Sequence, residues 1–136
     1  MNLIICLDEG HGYSFFGRRQ SMDRALRNRA LELTAGGPLY MDAYSAGQFR
    51  ENAHRIRVVA EPARDVPETG WFFLELGNPE ALLPLVNRLA VFRWNREYPS
   101  DKRFPLQEIR EKAALCYRED FPGHSHERID LEVYQL

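Results

Sequence analysis

The sequence predicts an α/β fold with a mostly parallel central sheet and an antiparallel hairpin at its carboxyl end. Apolar strand-like runs alternate with helical or loop segments over most of the 136 residues, which is the order found in parallel sheets. The last two predicted strands are joined by a tight turn, as antiparallel neighbours are. A chain of this length can bury one core, so we predict a single domain over residues 1–136.

Seven segments have the composition of β-strands. The first, residues 3–7, is a continuous apolar run, which is typical of a central strand buried on both faces. The last alternates apolar and polar residues, which predicts a half-exposed strand. In chain order the predicted strands are residues 3–7, 38–41, 56–60, 71–76, 89–94, 113–117 and 129–134.

Helices and loops are predicted between these strands. Ser21 or Asp23 is the expected cap of a helix that reaches about Leu33, because apolar residues recur there at steps of three and four. Ser45 is the expected cap of a second, shorter helix. The other connections are predicted as a Pro-rich loop at 61–69, a short helix at 79–86, a polar loop at 95–105 and a turn at 121–126.

Composition and charge exclude several classes of protein. A formal charge of −2 gives no general attraction to nucleic acid or to a membrane surface, and no apolar stretch approaches the roughly 20 residues that span a bilayer. The amino terminus lacks the pattern of a signal peptide, so we expect a cytoplasmic protein. Cys6 and Cys116 fall in strands that we expect to be buried, where a free thiol acts as a small hydrophobic group.

The strongest candidate site follows the first strand. Arg18, Arg19, Gln20 and Ser21 precede Asp23 at the predicted helix start, near the carboxyl end of a strand, where open α/β sheets bind ligands. Guanidinium groups and a helix amino terminus both favour an anion. The alternative is a set of surface arginines paired with neighbouring carboxylates.

The predicted turn between the last two strands carries a second candidate. His126 can transfer protons near neutral pH, and Glu127 is a neighbouring carboxylate, so we expect both to act with Asp23 as catalytic groups. The alternative is an exposed turn with incidental histidines. Two histidines and one glutamate are a poor metal site, and we predict none. The glycine-bounded residues 12–17 are expected either to form a mobile flap or to place Phe15 and Phe16 in the core.

The order of elements and several local segments resemble dihydrofolate reductase. The likeness rests on residues 38–41 with the helix after them, residues 83–89, and the closing segments 113–117 and 129–134. Asp23 falls near the acidic residue with which that family holds a pterin ring. The chain also resembles a group of small bacterial proteins with no established activity.

The chain departs from the reductase pattern at the cofactor positions. The glycine-rich turn expected after the fifth strand is reduced to Gly77, Asn78 and Pro79, and proline removes one amide donor. Glu61 stands where a phosphate-binding group is expected, and only Ser45 remains to face a phosphate from a helix start. A conventional dinucleotide site is therefore not expected.

These observations leave three functional hypotheses. The first is a protein, or divergent enzyme, that binds a small anionic or nucleotide-like ligand through Arg18, Arg19, Gln20, Ser21 and Ser45. The second is a reductase that uses a nicotinamide cofactor in an altered mode. The third is a non-enzymatic interaction module, for example a homodimer, whose arginines meet an acidic partner. No nucleic-acid or membrane partner is expected.

Overall fold

The computed structural model describes residues 1–136 and contains ten β-strands and four α-helices. The strands are β1 (Asn2–Leu7), β2 (Gly12–Phe15), β3 (Arg18–Arg19), β4 (Leu39–Met41), β5 (Ile56–Val58), β6 (Trp71–Leu74), β7 (Arg88–Arg93), β8 (Lys102–Arg103), β9 (Ala114–Phe121) and β10 (Ile129–Gln135). The α-helices are α1 (Arg24–Leu33), α2 (Ala43–Ala46), α3 (Pro62–Asp65) and α4 (Leu106–Lys112), and three 3-10 helices span Arg50–Arg55, Pro79–Ala81 and Leu83–Leu85.

Seven of the strands form one sheet in the order β5-β4-β6-β1-β7-β10-β9. The first strand, β1, lies at the centre and is parallel to β6 on one side and β7 on the other. β10 is antiparallel to both β7 and β9. The predicted fold class, a mostly parallel sheet that ends in an antiparallel hairpin, is confirmed.

Apolar cores cover both faces of this sheet. Successive side chains of a strand point to opposite faces, so Leu3 enters one core and Ile4 enters the other. The second core also contains Phe73 and lies under α1, whose Leu26 and Ala30 are almost fully buried. Full burial of a large apolar side chain stabilises the fold by roughly 1.5–3 kcal/mol. This double coverage explains why β1 is a continuous apolar run.

Helix α1 begins where the sequence predicts. Asp23 is its cap, because the Asp23 carboxylate accepts hydrogen bonds from the backbone N–H groups of Ala25 and Leu26. The helix ends at Leu33, and Thr34 is the residue that follows it. None of the helices combines the length and the apolar composition that a membrane crossing requires.

The segment after β1 forms a hairpin that the sequence did not predict. β2 and β3 pair as antiparallel strands, and β2 also pairs with β8, which gives a second sheet of three strands. Phe16 and Gly17 form the hairpin turn with left-handed φ values of 50° and 68°. Phe16 is 78% exposed, so of the two alternatives for this segment the one that places Phe16 in the core is wrong. The turn geometry points its side chain to solvent.

The carboxyl-terminal hairpin differs from prediction in its burial. β10 was expected to be half-exposed, but it is buried from Ile129 to Tyr134. Its polar residues lie under side chains from neighbouring elements, as where Arg110 of α4 pairs with Glu132 at 2.9 Å. β9 is instead the exposed sheet edge, so the expected burial of Cys116 is wrong. Helix α4 lies between the predicted loop and strand and was missed.

The cap of the short helix α2 also differs from prediction. Asp42, not Ser45, is the cap, because its Oδ1 accepts from the Ser45 N–H at 2.8 Å. Asp42 has the extended backbone of a cap residue, whereas Ser45 lies inside the helix and is fully buried.

Candidate functional site

The residues predicted as one anion site are divided among separate interactions. Arg18 is exposed on β3, and its guanidinium forms no ion pair. Arg19 binds the buried carboxylate of Glu75, and Gln20 binds that of Asp8. Ser21 contacts the hairpin before β10. The structure therefore does not bring Arg18 and Arg19 together as a pair of free cations.

Arg19 is held by Glu75, which follows β6. Its Nε lies 3.1 and 3.0 Å from the two carboxylate oxygens of Glu75, and its guanidinium stacks on the Tyr44 ring at 4.2 Å. Burial raises the pKa of the Glu75 carboxyl, and the neighbouring Arg19 lowers it in part. The Arg19 guanidinium is therefore paired within the protein, at the carboxyl end of β6, the strand beside β1.

Two further polar side chains surround Glu75. The Ser45 hydroxyl and the Gln48 amide lower the pKa of the Glu75 carboxyl, although neither forms a hydrogen bond of ordinary geometry. Ser45 is 0% exposed, so its hydroxyl faces this buried carboxyl rather than solvent.

Gln20 helps to fix the loop after β1. Its amide Nε2 donates to Asp8 Oδ2 at 3.1 Å, and the same oxygen accepts from the Tyr98 N–H at 3.3 Å. The other oxygen of Asp8 accepts from the N–H groups of Gly10 and Gly12 at 2.9 and 2.7 Å. Asp8 therefore ties the β1–β2 turn to the loop that carries Tyr98.

Asp23 connects α1 to the carboxyl-terminal hairpin. Its Oδ1 accepts from the two cap N–H groups and from the His124 N–H at 3.1 Å. Its Oδ2 lies near three donors, the Ser125 N–H at 2.9 Å, the Ser125 hydroxyl at 3.2 Å and His126 Nδ1 at 3.0 Å. Burial alone raises the pKa of the Asp23 carboxyl, but these hydrogen bonds outweigh it and hold the pKa well below its usual value.

His126 is oriented on three sides. Because ionised Asp23 only accepts hydrogen bonds, the neutral imidazole carries its proton on Nδ1 and leaves Nε2 as an acceptor. Nε2 lies 3.0 Å from the Ser21 hydroxyl and 2.8 Å from the Tyr98 hydroxyl. The ring stacks on Trp94 with centroids 4.6 Å apart. The structure thus brings Ser21, Asp23 and His126 into direct contact.

A cleft of about 580 Å³ opens beside this network, between the end of β7 and the last hairpin. Glu127 lies in its wall and is exposed, so it is adjacent to His126 but outside the hydrogen-bonded group. Arg128 in the same wall pairs with Asp120 at 2.8 Å, whereas Arg96 has no ion-pair partner. The full wall comprises Trp94, Asn95, Arg96, Asp120, Phe121, Pro122, His126, Glu127 and Arg128.

A second cleft, of about 540 Å³, lies outside the carboxyl ends of β4, β5 and β6. Its wall is mostly apolar and includes Phe72, Leu74 and the turn at Gly77. Its arginine, Arg64, pairs with both Glu61 and an adjacent aspartate, so the wall offers no free cation.

Sequence reasoning missed several members of the His126 network. Trp94 ends the predicted strand 89–94 and is 4% exposed, and its ring also stacks on His126. Tyr98 falls in the predicted polar loop 95–105, and its hydroxyl reaches the imidazole. Neither contact has a local sequence signal, because the partners lie 28 or more positions apart along the chain.

No protein-family model matches the chain, and no curated protein matches its sequence. Solved structures do match. One is dihydrofolate reductase from Enterococcus faecalis complexed with NADP(H) and RAB-propyl, with a TM-score of 0.69. The match covers 98% of this chain and 94% of that chain, at 12% sequence identity.

The α/β sheet described above is therefore a dihydrofolate reductase-like fold. The resemblance inferred from the sequence is confirmed at this level, as a divergent member of that architecture. A structural match at 12% sequence identity shows the fold alone, so the function must be argued from the side chains.

Proposed function

We propose that this protein binds a small anionic, nucleotide-like ligand in the cleft beside His126. The supporting observation is Arg96, an arginine with no ion-pair partner in a wall that also contains Trp94, Phe121 and His126. The cleft volume of about 580 Å³ falls in the range of small-molecule sites, roughly 300–1,000 Å³.

Charge and polarity support this class of ligand. A guanidinium that is free to form a bidentate contact favours phosphate or carboxylate. Trp94, Phe121 and Pro122 supply an apolar part of the wall, and the Glu127 carboxylate can accept hydrogen bonds from amino or hydroxyl groups. The anion contact in this proposal moves from Arg18 and Arg19, the sequence-based candidates, to Arg96.

Thermal unfolding in the presence of nucleoside monophosphates tests the proposal. A ligand that binds only the folded state raises the melting temperature by mass action. At a concentration of 100 times its Kd it adds about 2.7 kcal/mol to the free energy of unfolding. We expect a shift with a nucleoside monophosphate, a smaller shift with inorganic phosphate and none with the uncharged nucleoside. Arg96→Ala should abolish the shift.

Arg57→Ala is the matched control, because Arg57 is an exposed arginine on β5 at the far edge of the sheet. It should retain the shift. Equal loss in both variants would indicate a general charge effect, and no shift with any phosphate compound in the unsubstituted protein would refute the proposal.

A nicotinamide-dependent reductase is the second candidate, and the second cleft favours it. That cleft lies where open α/β sheets bind nucleotides, and the matching structure named above contains NADP(H). Against it, both oxygens of Asp23 are occupied by the protein's own donors, so this carboxylate is not free to hold a pterin. NADPH binding that survives Arg96→Ala would support the reductase instead.

A further inference from the structure

Three side chains form a continuous hydrogen-bonded chain at the start of α1. The Ser21 hydroxyl lies 3.0 Å from His126 Nε2, and His126 Nδ1 lies 3.0 Å from Asp23 Oδ2. A hydroxyl, an imidazole and a carboxylate joined in this order are the parts of an activated serine nucleophile. The sequence order does not reveal them, since His126 is 105 positions from Ser21.

The Asp23 carboxylate of this hydrogen-bonded series is held in place by the protein before any substrate binds. The side chain of Asp23 is 0% exposed, and backbone N–H groups of both α1 and the hairpin hold it in place. Because it accepts from Nδ1, it orients the imidazole with the free nitrogen toward Ser21. This is the orienting function that a third group performs for a general base.

Ser21 and Ser125 differ in what their hydroxyl groups contact. The Ser125 hydroxyl lies against the Met22 carbonyl and Asp23, so it is bound within the hairpin junction. The Ser21 hydroxyl contacts His126 Nε2 alone, and Ser21 is partly exposed. Of the two serines, Ser21 is therefore the one placed to react.

We propose that Ser21 is a nucleophile, with His126 as its general base and Asp23 as the orienting carboxylate, and that it accepts an acyl group from a carboxylic ester. The Ser21 oxygen attacks the ester carbonyl carbon, and its proton passes to His126 Nε2. The carbon–oxygen bond to the alcohol then breaks, and His126 returns the proton to the departing alkoxide. Water attacks the acyl-serine with the same base, releasing the carboxylic acid and restoring the Ser21 hydroxyl.

The Tyr98 hydroxyl competes with Ser21 for the same nitrogen. It lies 2.8 Å from Nε2, and a neutral imidazole offers only one lone pair there. When Tyr98 donates, Ser21 has lost its base. Tyr98→Phe removes this competitor while leaving an aromatic ring in the loop, so we expect it to increase the reactivity of Ser21.

The class of ester rests on the proposed function. His126 lies in the wall of the 580 Å³ cleft that contains Arg96, so an ester that also carries an anionic group would place that group near the guanidinium. The nucleophile itself needs no anion. An uncharged reagent therefore tests the triad independently of ligand binding in the cleft.

Labelling with a fluorophosphonate, which forms a covalent bond to activated serines, is the test. Intact-mass analysis of the folded protein should show one adduct, and peptide mapping should place it on Ser21. Ser21→Ala should abolish labelling, and His126→Gln should slow it by about 100-fold or more, the typical contribution of a general base. Tyr98→Phe should label faster than the unsubstituted protein.

Ser100→Ala is the matched control, because Ser100 is also a partly exposed serine and its hydroxyl forms no hydrogen bond with Ser21, Asp23 or His126. It should label at the unsubstituted rate. Circular dichroism must show that each variant is folded, and heat-denatured protein should not label. No adduct on folded protein, or an adduct that persists in Ser21→Ala, would overturn the proposal. Labelling together with an absent nucleotide shift would retain the triad and reject only the anionic ligand.

Discussion

Replacing Asp23 by asparagine tests the two oxygens of its carboxylate separately. An amide oxygen placed at Oδ1 can still accept from the N–H groups of Ala25, Leu26 and His124, so the helix cap is retained. At Oδ2 the amide nitrogen brings its own hydrogens against the Ser125 N–H and against the Nδ1 proton of His126. Asparagine therefore loses only the contacts of Oδ2 with Ser125 and His126.

The size of the loss follows from these contacts. A donor left without its acceptor costs about 1–3 kcal/mol, and the Ser125 N–H is only partly buried, so we expect Asp23→Asn to lower the free energy of unfolding by about 2 kcal/mol. Asp23→Ala also loses the cap, worth about 1 kcal/mol, and the bond from His124, so its loss should be about 4 kcal/mol. The second value is a large part of the 5–15 kcal/mol typical of a domain.

Urea unfolding followed by circular dichroism measures both values. Asp42→Asn is the control, because Asp42 caps α2 through a single N–H, and asparagine is an equally good cap. It should change the free energy of unfolding by less than about 0.5 kcal/mol. Equal losses for Asp23→Asn and Asp23→Ala would refute the reasoning, since the two oxygens would then have no separate effects.

The difference between the unsubstituted protein and Asp23→Asn should also depend on pH. The pKa of Asp23 is lower in the folded chain than in the unfolded chain, where it is about 3.9. Its ionised form therefore stabilises the fold above the unfolded pKa, and this contribution is lost as the pH falls toward the folded pKa. The two proteins should differ fully at pH 7 and converge at acid pH, and nitrogen NMR should show the His126 tautomer reversed in the variant.

Two further substitutions test other parts of the site. Arg19→Met leaves the buried Glu75 carboxylate without its partner and should lower the free energy of unfolding by about 3 kcal/mol at pH 7. Burial raises the folded-state pKa of Glu75, so the carboxyl of the variant takes up a proton as the pH falls toward the unfolded pKa of about 4.3, and the loss should shrink. A loss that is constant with pH would contradict this. Gly123→Ala places a Cβ 2.6 Å from the His126 carbonyl oxygen and should lower the free energy of unfolding by about 1–3 kcal/mol, whereas Gly10→Ala, whose nearest contact is 3.6 Å, should be close to neutral in the same urea assay.

Local sequence patterns predicted much of the sheet and the start of the first helix. β1 was recognised as central because both of its faces are apolar, and that pattern records the two cores on either side. Asp23 was one of two predicted caps, because a short acceptor before an amphipathic run is a local signal. These features depend on residues close together in the chain, so the chain itself contains the information.

The same patterns were wrong where burial depends on distant neighbours. The alternation in residues 129–134 indicated one exposed face, but side chains such as Arg110 cover the polar positions of β10. Cys116 was expected to be buried, yet β9 is the last strand of the sheet and has no neighbour beyond it. Strand order decides which apolar segment becomes an edge, and no local pattern contains the strand order.

The candidate site shows the same division. By itself the sequence determined which groups are available after β1, namely arginines, a serine and an aspartate, and it singled out His126 in the last hairpin. Only the tertiary structure decided their partners: Arg19 binds Glu75, while Ser21 and Asp23 meet His126. Hydrogen bonds require atoms within about 3 Å, and contacts between residues more than 50 positions apart are set by how strands and helices pack.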